Sequence, residues 1–177
     1  LLGFLGEAVT PFHAVAAMSR RLSDAGVEEG ERVDAETMTA GSGYCMTRQG
    51  SSLIALRAGQ GRPDVGLRLV GTHTDSPNLS VKPNPVIGRD GCVQLGVDVY
   101  GGALLNPWFD RDLAIAGRVT LLTTSGELCS TLFDSARPVA VVPSLAIHLD
   151  REANKQRSIN PQKDVVPLVM LGDPQQF

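Results

Sequence analysis

The spacing of apolar residues near the start of the chain predicts one amphipathic helix. Thr10 and Pro11 favour a helix start, because a threonine hydroxyl can accept a hydrogen bond from a first-turn N–H and proline fits the first helical position. Apolar residues then recur at helical spacing until Gly26, which is typical of a helix stop. The pattern predicts a helix over residues 11–25, with His13 as a packing residue in its first turn.

Three further apolar segments have the features of β-strands. Residues 44–47 and 52–56 flank the polar stretch 48–51, whose glycine and serine are typical of a hairpin turn. Residues 65–71 are mostly apolar without alternation, which predicts a short strand buried inside a sheet. This strand leads directly into the polar segment 72–77.

From about residue 83 the chain consists of short apolar runs separated by glycine and proline. The predicted strands lie at residues 92–99, 113–122, 127–133, 138–142 and 168–171. Because no helical period occurs between most of these strands, they predict an antiparallel barrel or sandwich. Residues 143–149 predict at most one helical turn. The change in pattern predicts a domain boundary near residues 80–85.

The composition narrows the class of protein. The chain has 177 residues, 42% of them hydrophobic, and a formal net charge of −3, which is typical of a soluble globular protein. Its 16 basic and 19 acidic residues are mixed along the chain, which argues against nucleic-acid binding. No apolar run approaches the ~18 residues of a membrane span, and the N-terminus lacks the basic flank of a signal peptide. We therefore expect a cytoplasmic protein, with its three cysteines as small buried thiols.

His73 is the strongest candidate for chemistry among the three histidines. It follows a predicted buried strand, and the loops after such strands gather ligands in α/β sheets. Asp75 projects to the same side of an extended segment, where its carboxylate can accept one imidazole proton and direct the other nitrogen to a metal. The alternative is an ordinary turn, because His-x-Asp is a short pattern and Asp-Ser-Pro is common in turns. A catalytic zinc needs about three protein ligands, and the sequence places no other candidate near His73.

A second cluster of polar and aromatic residues lies at residues 100–113. It could border a cleft, with the Asp-Arg-Asp triplet at 110–112 forming ion pairs. The favoured alternative is a structural corner in which Trp108 and Phe109 fill a small core. The chain has no Gly-x-Ser-x-Gly motif, phosphate-binding glycine loop or dinucleotide fingerprint, which argues against serine hydrolases and nucleotide-dependent enzymes.

Seven sequence blocks stand in one order at characteristic intervals. They are residues 10–15 (TPFHAV), 71–77 (GTHTDSP), 81–83 (VKP), 100–102 (YGG), 108–113 (WFDRDL), 116–119 (AGRV) and 143–149 (PSLAIHL). Together they resemble the N-terminal part of the aspartyl aminopeptidases, metallopeptidase family eighteen. The resemblance covers nearly the whole chain, and seven ordered blocks are far more specific than His-x-Asp alone.

The resemblance implies an α/β fold. Residues 1–82 would begin an α/β-sandwich metallopeptidase catalytic domain, and residues 83–177 would form an incomplete, β-rich and barrel-like dimerisation domain. His73 would be a zinc ligand, Asp75 the catalytic residue that orients it, and His148 a substrate-binding residue that reaches the site of a neighbouring subunit.

The resemblance also implies an activity. The family removes N-terminal Asp or Glu from peptides with two zinc ions per subunit, and manganese or cobalt are alternative metals. The other metal ligands follow the dimerisation domain in the family, so we expect an N-terminal fragment that is inactive alone and forms homo-oligomers through its β-rich part. The alternative function is a non-catalytic oligomerisation module.

Overall fold

The N-terminal helix forms as the sequence predicts. The computed structural model describes residues 1–32, 36, 38–61 and 66–176. Helix α2 spans Pro11–Asp24, and the Thr10 hydroxyl accepts a hydrogen bond from the backbone N–H of His13 at 3.3 Å. The chain leaves the helix through Gly26, whose φ of +77° suits glycine. The predicted helix and its N-cap are confirmed, and the buried face consists of Ala14, Val15 and Ala17.

A short helix precedes α2 and is joined to it by charged side chains. Helix α1 spans Leu2–Glu7, which the apolar pattern does not predict. Glu7 forms ion pairs with Arg20 and Arg21 of α2. The Arg21 guanidinium also lies 5.0 Å from the centre of the Phe4 ring, so Phe4 and Glu7 of α1 both contact the last turns of α2.

The first sheet contains the predicted hairpin. Its strands are β1 (Glu28–Glu29), β2 (Gly43–Arg48) and β3 (Ser52–Arg57), in the order β1-β2-β3. Strand β1 is parallel to β2, and β2 is antiparallel to β3 with Cys45 opposite Ala55. Residues 49–51 connect the two strands, and Gln49 and Gly50 have φ values of +53° and +67°, the left-handed conformations common in tight hairpin turns.

The remaining strands form two small sheets. They are β4 (Asn78–Arg89), β5 (Cys92–Tyr100), β6 (Ala116–Leu122), β7 (Leu128–Asp134) and β8 (Leu168–Leu171). One antiparallel sheet has the order β4-β5-β8, and β6 pairs with β7. The proline pattern does not predict β4, but its ladder is irregular between Val81 and Val86, where Pro83 and Pro85 lie. Proline lacks an N–H, and an irregular edge strand tolerates that loss.

The chain divides into two compact units. One comprises Leu1–Ser76 and Ala116–Phe133, and the other comprises Pro77–Ile115 and the residues from Asp134 onward. The most buried residues of the first unit lie on α2 and β2, and those of the second unit include Val93, Val142 and Val165. The assignment of residues 1–82 and 83–177 to a catalytic and a dimerisation domain stays a prediction.

The predicted buried strand at residues 65–71 is wrong for the part that the structure describes. Residues 66–71 form no strand, and the side chains of Leu67, Leu69 and Val70 are 87–92% exposed; Val65 lies outside the described residues. A strand is buried only when neighbouring strands pair with it, and within the described ranges no strand pairs with this segment.

Two further expectations need correction. The structure is a mixed α/β arrangement of small sheets, and among the described residues no sheet closes into the predicted barrel, because β6 and β7 pair only with each other. Cys45 is a buried thiol as expected, whereas Cys92 is half-buried and Cys129 is exposed on β7. Across the described ranges, no helix is long and apolar enough to cross a membrane.

Candidate functional site

His73 and Asp75 are in contact in the irregular segment that precedes β4. The His73 Nδ1 atom lies 2.8 Å from the main-chain oxygen of Asp75 and 3.2 Å from its carboxylate Oδ1. Both neighbours are acceptors, so the ring satisfies them when Nδ1 carries a proton and donates it. That tautomer leaves the lone pair on Nε2, which is the nitrogen that could bind a metal.

This segment is tied to the hairpin of the first sheet. The Thr74 hydroxyl donates a hydrogen bond to the main-chain oxygen of Ser51 at 2.9 Å, beside the β2–β3 turn. Arg118 of β6 donates to the main-chain oxygen of Gln49 in the same turn at 2.8 Å, and its guanidinium lies 4.2 Å from the ring centre of Phe12. The contacts of Thr74 thus attach the histidine segment to a turn that is itself held in place.

His148 lies in the other compact unit, in an exposed loop. Residues 147–149 form a turn, in which the Leu149 N–H donates to the main-chain oxygen of Ala146 at 2.8 Å. The apolar residues Leu145 and Ile147 beside it are exposed as well. Of the three predicted site residues, the structure places His73 and Asp75 together and His148 on a separate unit, and their catalytic roles stay predictions.

The aromatic cluster forms a corner. Residues Asn106–Trp108 make a short 3-10 helix, followed by Phe109 in a bridge to Val142. Asp110 has φ +54°, and its carboxylate accepts a hydrogen bond from the Ser144 N–H at 2.9 Å. The corner agrees with the favoured structural interpretation, but Trp108 and Phe109 are only half-buried, so the small core expected from them is not seen.

Ser144 and Arg157 contact this corner, and the sequence pattern did not indicate either of them as its partner. Hydrogen bonding from Ser144 lowers the pKa of Asp110 below its usual value, and the positive charge of Arg157 acts in the same direction. Arg157 lies over the Phe109 ring, 3.9 Å from its centre. The only sequence signal for this arrangement is an aspartate where the chain needs a left-handed residue, since Asp tolerates that conformation better than most residues.

The described part of the chain supplies an incomplete metal site. Within it, no group of three or more His, Cys, Asp or Glu side chains is arranged to hold a metal ion. The Nε2 of His73 fits the chemistry of one zinc ligand, because its ring is oriented by Asp75. In the other compact unit, an open groove of about 640 Å³ is lined by residues 137–141 and 168–171 together with Asp112 and Ile115.

Comparisons with known proteins assign the chain to a family. The model of the aminopeptidase I zinc metalloproteases, family M18, matches residues 4–176. The chain therefore belongs to the M18 family of aminopeptidases, which confirms the family resemblance seen in the sequence. The members that this family model describes are zinc metalloproteases.

Individual relatives show how much of the family's length this chain spans. A probable M18 family aminopeptidase 2 of Pseudomonas paraeruginosa is 53% identical over 96% of this chain and 39% of its own length. A chain in the cryo-EM structure of the Ape4 and Nbr1 complex matches with a TM-score of 0.89 and 38% identity, over 96% of this chain and 33% of that one. The S. cerevisiae mApe1 dodecamer matches with a TM-score of 0.76 and 26% identity, over 94% and 36%. The chain thus spans about two fifths of the curated relatives that it matches.

Proposed function

We propose that this chain is the N-terminal part of a zinc aminopeptidase that removes N-terminal Asp or Glu from peptides. The observation that carries the proposal is the oriented imidazole of His73, whose Nδ1 faces two oxygens of Asp75. This pair lies inside the GTHTDSP block, in a chain of the M18 family. The Nε2 atom of His73 would be one ligand of a metal site whose other ligands belong to the rest of the enzyme.

The identity of the metal and the number of ions per subunit are part of the same proposal. Zinc is the metal of the family, and we propose two ions per intact subunit, with manganese or cobalt as alternatives. When bound, such ions lower the pKa of a bound water and polarise the scissile carbonyl. The described residues of this chain contribute one oriented histidine to that site, so we expect the 177-residue chain to be inactive by itself.

Preference for an acidic substrate requires a hydrogen-bond donor or a positive charge near the substrate side chain. We propose that His148 supplies this donor to a neighbouring subunit of a homo-oligomer. Its exposed position in a loop supports the proposal, as does a related protein whose structure is a dodecamer. On this account His148 binds substrate and holds no zinc.

The first experiment is chelator-sensitive release of aspartate from a short N-terminal Asp peptide. We expect the purified 177-residue chain with added zinc to be silent, and activity to appear when the chain is extended through the remaining metal ligands. Activity of the 177-residue chain alone would contradict the proposal that its site is incomplete.

Two substitutions separate the two histidine roles in the extended protein. His73→Ala should reduce bound zinc, whereas His148→Ala should weaken substrate use with nearly unchanged zinc content. Equal loss of zinc in both variants would contradict the assigned roles.

The second candidate function is a non-catalytic oligomerisation module. One observation favours it, namely that apolar side chains around His148 are exposed on a loop of the β-rich unit. Metal analysis distinguishes the two functions, because an extended protein with a completed site should retain about two zinc ions per chain through purification. An oligomer that retains no zinc and releases no amino acid would support the module.

A further inference from the structure

The loop that carries His148 is held at both ends by side chains outside the loop. Before His148, the Ser144 N–H donates to the Asp110 carboxylate at 2.9 Å. After His148, the carboxylate of Asp150 lies 3.7 Å from the Nε of Arg157. These contacts come from parts of the chain that lie 34 residues before Ser144 and seven residues after Asp150.

Asp110 is attached to the core of its unit. Its backbone N–H donates to the main-chain oxygen of Val142 at 2.9 Å, and Phe109 pairs with the same residue in a β-bridge. Val142 is fully buried and lies two residues before Ser144. The backbone of Asp110 is therefore attached to a buried residue, while its exposed carboxylate accepts from the first residues of an exposed loop.

Arg157 contacts the same corner. Its guanidinium lies over the Phe109 ring at 3.9 Å, a stacking arrangement that restricts the planar group. The side chains of Arg157 and Asp150 are 21% and 28% exposed, less than those of the ion pairs on α1 and α2. Both ends of the loop are thus anchored to the Phe109–Asp110 corner.

The loop between the anchors has little apolar burial of its own. Leu145, Ile147 and Leu149 are all exposed, and two hydrogen bonds to the Ala146 oxygen close its turn. A segment with few buried apolar contacts opens easily unless polar contacts restrain it. The direction in which the loop presents His148 then depends on the two anchors.

We propose that Asp110 and Arg157 are positioning residues that hold the His148 loop in the conformation used for substrate binding. The proposal rests on the role of His148 given under the proposed function. Asp110 and Arg157 contact neither the substrate nor the metal in this account, and they act only through the loop.

The first test measures the loop directly in the 177-residue chain by amide hydrogen exchange and NMR. Asp110→Gly removes the acceptor and suits the left-handed backbone, so backbone strain does not contribute to its effect. We expect exchange at the Ser144 N–H to accelerate by about tenfold, the factor for losing a hydrogen bond to a charged acceptor at an exposed site. Asp110→Asn is the matched control, because its amide oxygen can still accept and Asn also tolerates this conformation.

Arg157 is tested in the same way. Arg157→Met keeps an apolar contact with Phe109 but removes the ion pair, and it should increase the mobility of residues 148–150. Arg157→Lys keeps the charge and should preserve more of the order. Unchanged exchange at Ser144 in Asp110→Gly, together with unchanged mobility in Arg157→Met, would overturn the proposal.

The second test measures peptide hydrolysis by the extended protein. Asp110→Gly should raise KM for an N-terminal Asp peptide with little change in kcat or zinc content, and it should add no further effect in a His148→Ala background. An additive effect in that background would show that Asp110 does not act through His148 and would overturn the proposal. If His148→Ala itself leaves KM unchanged while the loop still loosens, the anchors stand and the substrate role of His148 is wrong.

Discussion

The contact between Asp75 and His73 predicts that the Asp75 carboxylate strengthens zinc binding in a protein that contains the remaining metal ligands. Asp75→Asn removes the negative charge beside the imidazole but keeps an oxygen that can accept from Nδ1. The main-chain oxygen of residue 75, at 2.8 Å, is closer than the carboxylate at 3.2 Å and is not changed by the substitution. The tautomer that leaves Nε2 for the metal should therefore persist, while the electrostatic contribution of the carboxylate is lost.

The structure indicates that Asp75→Asn lowers zinc affinity by a factor at the low end of the usual range. Loss of a partner that orients a metal-binding histidine typically lowers metal affinity about 10- to 100-fold. The side chains of His73 and Asp75 are 81% and 40% exposed, so water screens the carboxylate. Because the main-chain acceptor also remains, we expect about a tenfold loss, which corresponds to about 1.4 kcal/mol.

The assay is a competition titration against a zinc chelator, in a protein that contains this chain and the remaining metal ligands. His73→Ala is the reference, because it removes the ligand itself and should cost more affinity than Asp75→Asn. Zinc affinity that is unchanged in Asp75→Asn would refute the electrostatic contribution of the Asp75 carboxylate. A loss equal to that of His73→Ala would refute the argument that the main-chain oxygen keeps the tautomer.

Three further predictions concern folding. A Cβ at Gly88 would collide with the ring of Pro174, so Gly88→Ala should lower the free energy of unfolding by about 1–3 kcal/mol in urea denaturation. Gly117→Ala is the control, because the space around Gly117 is open, and it should change the free energy of unfolding by about 0.5 kcal/mol or less. Thr10→Ala should cost about 1 kcal/mol through the lost helix cap in the same assay, and Thr10→Ser should restore most of it. Because its pKa is lowered in the folded state, the Asp110 carboxylate stabilises the fold above the unfolded pKa of ~3.9. This contribution is lost as the pH falls through the lower folded pKa. A pH series of NMR spectra should therefore show the Ser144 amide signal shifting in that acidic range, and no such shift in Asp110→Asn.

Local signals in the sequence were sufficient for the first helix and the first hairpin. Thr10, Pro11 and Gly26 act on the backbone within a few residues of themselves, so helix α2 depends little on distant parts of the chain. Gln49 and Gly50 likewise adopt the left-handed conformations that a tight turn needs. Helix α1 has no comparable cap, and its contacts to Arg20 and Arg21 come from tertiary structure.

Strand pairing was predicted less well, because it depends on neighbours that a local pattern does not contain. Residues 66–71 have the apolar composition of a buried strand, yet nothing among the described residues pairs with them. Strand β4 is the opposite case, because it forms although its local sequence argues against a strand. Pro83 and Pro85 disfavour a strand, but β5 pairs with the residues on both sides of them.

The contacts of the candidate residues were likewise only partly predictable from the local sequence. The sequence by itself determined the pairing of His73 with Asp75, because residues two apart in an extended segment project to the same side. Only the tertiary structure decided that Asp110 would meet Ser144 and that Arg157 would stack on Phe109. These contacts join positions dozens of residues apart, and they form only when the buried Val142 brings the corner and the loop together.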